Sequence, residues 1–305
     1  MRASILRGAG ALLACLASAV GARAELRVLT CEPVWAAVVQ EIGGERVRVD
    51  SATTPQQDPH YIQAKPSLIA RVRQADLLVC SGADLEVGWL PVLLRQGANA
   101  RLAAGQPGNL DVSKIVPMLD VPTSLDRAQG DIHPYGNPHV ETDPHNIARV
   151  ADELAKRLGA LDPSGAASYR ARRDDFAARW TAAIARWEQR AAPLRGMEIV
   201  THHVAWAYLV HWLGLVDIAQ LEPKPGIPPS ASSLAQLLGR LASRHPRAVV
   251  RLAYEPERPS AWLSERLSVP ALALPHAPGA TPAAKDLFGV FDDVIDQLLR
   301  ARSAR

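Results

Sequence analysis

Beyond residue 24 this 305-residue chain has no uninterrupted apolar run of about 18 residues, so nothing past that point reads as a membrane span. It has no block of like charge and no low-complexity tract, which excludes the common compositions of disordered chains. Aromatic residues are scarce at 5%, although 7 of them are Trp. A His-Glu-x-x-His helix, the signature of one large class of zinc hydrolases, is missing. No acid close in sequence to a candidate ligand histidine stands out as a general base. Cysteine is rare, with 3 residues, of which Cys15 falls in the first segment.

That first segment is itself informative. Arg2 and Arg7 form a short positive start, and Gly8 to Val20 is a run of small apolar residues too short to span a bilayer. Ala22-Arg23-Ala24 is an A-x-A cleavage pattern. Residues 1–24 are therefore expected to be a secretory signal peptide and the protein periplasmic. Leu12-Leu13-Ala14-Cys15 offers a lipoprotein alternative, but Leu13 fits that pattern poorly and the apolar run continues past Cys15. Without the leader's three arginines, the 34 basic residues become 31, equal to the 31 acidic ones. A neutral chain with no basic stripe gives no reason to expect a nucleic-acid partner. Cys31 and Cys80 remain. In an exported protein such a pair is usually a disulfide. Each ends an apolar run that reads as a strand, Leu26–Cys31 and Ala75–Cys80, so the sulfurs meet if those strands are neighbours. Two buried free thiols are the alternative.

The 48% hydrophobic content and the length suit two domains of roughly 130–150 residues. Short β-type runs alternate with helical patterns at both ends of the chain. In the first half, strands are expected near 26–31, 47–51 and 75–80. Helices are expected at Pro33–Ile42, Pro66–Gln74 and Asp84–Leu94. A Gly/Pro/Asp-rich loop region follows over roughly 105–143. From Pro144 to about Arg190 the helical pattern is nearly unbroken, dipping only at Leu161-Asp162-Pro163-Ser164. The alternation then resumes, with helices expected at Ala205–Leu213, Ser230–Ala242, Ala261–Leu267 and Lys285–Arg300. This pattern implies parallel sheets covered by helices. The fold expected is α/β: an N-terminal lobe over 25–143, a linking backbone helix over 144–192 acting as a stiff spine, and a C-terminal lobe over 193–305. No internal sequence repeat is visible.

Nine histidines are present, and four stand where a strand runs into a loop: His60, His139, His203 and His276. Ligands of open parallel sheets bind beyond the carboxyl ends of the strands, and imidazole suits zinc. Pro59 and Pro138 stiffen the backbone before His60 and His139. His133 and His145 compete with His139. His202 and His203 follow a strand directly, so one can face a cleft while the other packs. Glu255 is a further strand-end candidate.

In order along the chain, Asp58-Pro59-His60 with Pro66-Ser67, Ala75-Asp76-Leu77-Leu78-Val79 with Gly82-Ala83-Asp84-Leu85-Glu86, Asn137-Pro138-His139 with Asp143-Pro144, and His203 with Trp206, Tyr208 and Gly214-Leu215 resemble the motifs of the ZnuA/TroA-like, cluster A-I family of metal-binding receptors of ABC importers. The resemblance covers nearly all of the chain after the leader. It implies two α/β lobes on one rigid helix, with metal in the cleft. His60, His139, His203 and His276 would be its ligands, Zn2+ its ion ahead of Mn2+, and an inner-membrane ABC permease its partner. The protein is expected to be a monomer and not an enzyme. The step from His to Tyr selects His203 over His202. The family commonly has an Asp in an Asp-x-x-Gly turn where His276 precedes Gly279 here, so His276, Glu255 or water could be the fourth donor. A long His/Asp-rich loop before the second ligand is missing, and the cysteine pair is not a general mark of the family. The rival readings are a zinc hydrolase using Glu255, an adhesin or metal chaperone with the same site, and a receptor for an organic solute.

Overall fold

The first apolar run folds as β1 (Leu26–Thr30), and α1 (Pro33–Gly43) follows with Pro at its first turn, where a missing N–H costs nothing. The computed structural model describes residues 25–124, 130 and 132–304, so the expected leader, 1–24, lies outside the described residues. α1 stops at Gly44, whose φ of 56° is easy only for glycine. β2 (Val47–Ser51), α2 (Pro66–Gln74), β3 (Leu77–Cys80), α3 (Leu90–Gly97) and β4 (Asn109–Asp111) complete the first lobe. Its sheet is parallel throughout, in the order β2-β1-β3-β4.

Two details depart from expectation. α3 starts at Leu90 rather than Asp84, because Gly82, Ala83 and Asp84 all take positive φ and cannot enter a right-handed helix. β4 lies inside the stretch expected to be loop; at 3 residues it is too short to show a period. The expectation for the cysteines holds. β1 and β3 are parallel neighbours with Thr30 opposite Val79, and Cys31 is disulfide-bonded to Cys80.

The connection between lobes is a pair of helices. α4 (Pro144–Leu161) is capped by the Asp143 side chain, which accepts from the His145 N–H. The chain turns at 162–165, where the Asp162 carboxylate accepts from Arg46 and Tyr169. It then runs back along α4 as α5 (Ala166–Ala191). With 26 residues, α5 is about 39 Å long. Its buried stripe, Tyr169, Phe176, Trp180, Ala183 and Trp187, follows helical spacing. α5 packs on α1 in the first lobe and on α9 (Leu287–Ser303) in the second. Trp180 stands edge-on to Trp187, Phe288 and Phe291, and its indole N–H donates to the Pro144 carbonyl at 2.8 Å.

β5 (Glu198–Thr201), α6 (Ala207–Leu213), β6 (Val216–Gln220), α7 (Ala231–Arg240), β7 (Ala248–Leu252), α8 (Glu257–Leu267) and β8 (Ala271–Leu274) precede α9. α8 begins at Glu257 rather than Ala261, with Pro256 as its cap residue and an acid in its first turn. The second sheet is also parallel, in the order β6-β5-β7-β8. The lobes thus share one strand order, a repeat of structure that the sequence does not display. Their largest buried cluster is continuous from β1 and α1 through α4 and α5 to β5, β7 and α9. Among the described residues, no helix is long and apolar enough to cross a membrane.

Candidate metal centre

The site lies beyond the carboxyl ends of both sheets. His60 sits in the loop after β2. The Asp58 carboxylate accepts from both the His60 backbone N–H (2.9 Å) and ring Nδ1 (2.7 Å). This Asx turn leaves the ring little freedom. Trp89 secures the same turn by donating to the Pro59 carbonyl at 2.7 Å. His139 precedes the short 3-10 turn Val140–Thr142. Its N–H donates to Asn137 Oδ1 (3.1 Å), and the Asn137 amide reaches across to the Val204 carbonyl (2.8 Å). Tyr208 of α6 donates to the Asn137 carbonyl and accepts from Leu119 N–H. His203 follows β5 directly, and its Nδ1 lies 2.7 Å from Glu222 Oε2. Glu222 also accepts from Gly226 N–H at 2.9 Å, which fixes it in the Pro/Gly loop.

These three rings converge from separate parts of the chain. One ligand atom from each of His60, His139 and His203 falls within 4.8 Å of the others. Their ring centroids form a near-equilateral triangle, 5.5, 5.6 and 5.5 Å on a side. The other nitrogen of His60 and of His203 is hydrogen-bonded to an acid, and that of His139 has an acid nearby. Asp58 and Glu222 bond Nδ1 of His60 and His203, and Glu141 lies 3.8 Å from Nδ1 of His139. An N–H at Nδ1 facing an acid leaves Nε2 with a lone pair. In all three rings Nε2 is buried with no hydrogen-bond partner. Three orphaned imidazole nitrogens gathered in one spot fit a transition-metal ion that prefers nitrogen donors. Burial, and then the neighbouring histidines, hold the His139 pKa well below 6.5, so that ring stays neutral and able to ligate. Burial raises Asp58, but its hydrogen bonds to His60 together with the charge of the nearby histidines outweigh this and leave it below the usual carboxylate value.

His276 is not part of the triplet. It is buried, stands edge-on to Tyr254 with ring centroids 5.2 Å apart, and its Nδ1 has no partner. Burial lowers its pKa to about 4. Glu255 turns back on its own strand, accepting from Leu252 N–H at 2.6 Å, and burial pushes it up to about 8. His133 approaches within 5.5 Å of His60, ring to ring, while its Nδ1 lies 3.1 Å from the Ala83 carbonyl. His202 is buried beside His203 and outside the triplet. His145 is held at Asp143. Sequence reasoning assigned no ring-positioning role to Asp58, Glu141 or Glu222. The first two sit two residues from their histidines, a readable signal. Glu222 comes from the far end of β6, and nothing local marks it. The other cluster with ligand spacing among the described residues, Cys31, Cys80 and Glu86, has its sulfurs committed to the disulfide.

The two-lobed fold is shared with a crystal structure of ZnuA, which matches with a TM-score of 0.76 at 24% identity, covering 92% of this chain and 100% of that one. The sequence pattern of the ZnuA family, described as zinc-uptake complex component A, periplasmic, matches residues 28–301, and the chain belongs to that family. It is 25% identical to the high-affinity zinc uptake system protein ZnuA of Paracoccus denitrificans, over 74% of this chain and 76% of that protein. It is 26% identical to the manganese ABC transporter substrate-binding lipoprotein PsaA of Streptococcus anginosus, over 54% of this chain and 52% of that protein. The chain spans about half the length of several curated relatives it matches. Membership places it among the substrate-binding proteins of metal ABC transporters, which are receptors rather than enzymes.

Proposed function

We propose that this protein captures a divalent transition-metal ion in the periplasm, zinc ahead of manganese, and delivers it to the permease of an ABC importer in the inner membrane. The observation that carries this reading is the set of three buried, unpartnered Nε2 atoms on His60, His139 and His203. Three neutral nitrogens favour zinc, whereas manganese is better served by carboxylate oxygen. His276 enters as a fourth donor that must leave Tyr254 to reach the ion. In this reading residues 1–24 export the chain, 25–143 and 193–305 are the lobes, and 144–192 is the stiff link. The receptor works as a monomer.

The test is to offer metal-free protein an equimolar mixture of zinc and manganese and measure bound metal by mass spectrometry. A His60→Ala/His139→Ala variant, checked for fold by circular dichroism, runs beside it. One zinc per chain, lost in the variant, is expected. Bound manganese in place of zinc would move the assignment to a manganese receptor. No metal, or equal binding by the variant, would sink the histidine site.

A further inference from the structure

The loop that carries His60 is gripped from two directions, and both grips start at the Cys31–Cys80 disulfide. β1 ends at Thr30 and β3 at Cys80. The last ladder bond between them runs from the Cys31 N–H to the Val79 carbonyl at 2.8 Å. At that rim the disulfide ties the two strand ends together. On the β1 side, the Cys31 carbonyl accepts from the Thr53 N–H at 3.2 Å and from its hydroxyl at 2.8 Å. Thr53 is buried at the start of the His60 loop.

On the β3 side, Cys80 leads into residues 81–89. Ala83 and Asp84 take positive φ there, a conformation that residues other than glycine keep only where their surroundings impose it. The segment ends at Trp89, whose indole N–H donates to the Pro59 carbonyl at 2.7 Å. Just before it, a Cβ added to Gly88 would stand 3.4 Å from the His60 carbonyl, so the segment lies directly against the ligand's backbone. Cys31, Cys80 and Trp89 belong to one buried cluster, and Ala52 and Ile62 of the loop pack against it. Two routes thus join the sulfurs to His60, one through Thr53 and one through Trp89. Strand ends are where local opening begins, and a covalent link there restrains both routes at their root.

We propose that the Cys31–Cys80 disulfide positions the His60 ligand, so that the chain reaches its full metal affinity only once it is oxidised. This rests on the metal-binding reading above and adds a dependence on oxidation to it. The bond forms by exchange with a disulfide oxidant. Each thiol gives up one proton and one electron, the two sulfurs join, and the oxidant's own S–S bond breaks to a dithiol that takes both. A chain still in its thiol form competes poorly for metal. After oxidation both sulfurs are buried, which protects the competent form from reduction.

The experiment has a metal-free arm and a zinc arm. Amide hydrogen exchange is followed in the metal-free oxidised chain, in the thiol form refolded under a phosphine, and in Cys31→Ala/Cys80→Ala. Residues 52–65 and 81–89 are expected to exchange faster without the bond, and residues 231–240 of the second lobe to be unmoved. Equal exchange over 52–65 overturns the inference. Zinc affinity is then read by competition with a chromophoric chelator, on the alanine variant so that no free thiol takes up the ion. It should be weaker by about tenfold, the usual effect of losing a group that orients a ligand. Trp89→Phe, which loses the bond to Pro59, should weaken zinc too, and the triple variant no further than the weaker of the two, because both changes act on one loop. Unchanged affinity, or losses that multiply, overturns the inference. Leu237→Ala, in a separate buried cluster of the second lobe, lowers stability without touching either route and should keep its affinity; an equal loss there assigns the effect to stability alone and overturns positioning. No zinc on the oxidised wild type would overturn the receptor reading, while the exchange comparison still decides this one.

Discussion

Glu222 is the most instructive residue to change. Its Oε2 accepts from His203 Nδ1 at 2.7 Å and from Gly226 N–H at 2.9 Å, so one carboxylate fixes both the ring and the loop beside it. Partners of this kind set the tautomer and basicity of a ligating imidazole, and losing them typically costs 10–100-fold in metal affinity. Glu222→Gln keeps an acceptor oxygen for Nδ1 but removes the charge. It should weaken zinc binding about tenfold, or about 1.4 kcal/mol. Glu222→Ala removes the acceptor as well and leaves an unpaired N–H on a buried ring. It should approach 100-fold, or about 2.8 kcal/mol. The assay is competition with a chromophoric zinc chelator at fixed pH. Melting curves of the metal-free variants confirm that the fold survives, and Glu257→Gln on exposed α8 surface serves as control. An affinity for Glu222→Ala within twofold of the wild type would refute the idea that the acid orients His203.

Other expectations concern the frame around the site. The disulfide closes a separation of 49 residues, for which the chain-entropy relation gives about 4 kcal/mol. Cys31→Ser/Cys80→Ser should lower the denaturant midpoint accordingly, and reductant should then leave the variant unmoved; an unchanged midpoint contradicts this. Glu32 is buried beside Glu86, and its pKa rises from 4.5 to about 7, mainly through burial. A carboxyl raised on folding contributes stability that is fully present below its unfolded value and is lost as pH rises through the folded one. Metal-free wild type should therefore lose stability between about pH 5 and pH 8, and Glu32→Gln should lose less. Parallel stability-versus-pH curves for the two would exclude that account.

How much of this was readable beforehand differs between residues for physical reasons. His60, His139 and His203 were legible because strand ends define one rim of a parallel sheet, and Pro59 and Pro138 stiffen the approach to two of them. His276 carries the same signal in the sequence. A strand-end position tells which rim a side chain occupies, but not which way it turns, and here Tyr254 packs against it across the cavity wall. The start of α3 was misjudged because the positive φ values at Ala83 and Asp84 are imposed by the turn after β3, which helical spacing does not encode. The linking helices were visible as a long 3.6-residue period. Their folding back at 162–165 is held by Asp162 gripping Arg46, a residue from the short turn between α1 and β2. The matching strand order of the lobes left no sequence repeat, since topology constrains where apolar residues fall and not which ones they are.

The same contacts bear on how such a receptor would take up and surrender its cargo. The triplet joins two rings from the first lobe to one from the second, so an ion held there bridges the cleft. Its geometry is set by groups that the ion does not touch: Asp58, Asn137, Tyr208 and Glu222 hold the rings or their loops by hydrogen bonds to protein. Preassembly of this kind spares binding the cost of ordering three side chains. It also limits the routes to release. A large hinge motion would have to shear the aromatic packing of α5 against α9 and divide a buried cluster that both lobes share. Local motion costs less, because the loops bearing His60 and Glu222 lie at the edge of the cavity and outside that cluster. Movement of the His60 loop would take that ring from the other two, and movement of the Glu222 loop would remove the acid that holds His203; either would weaken the site without the lobes parting.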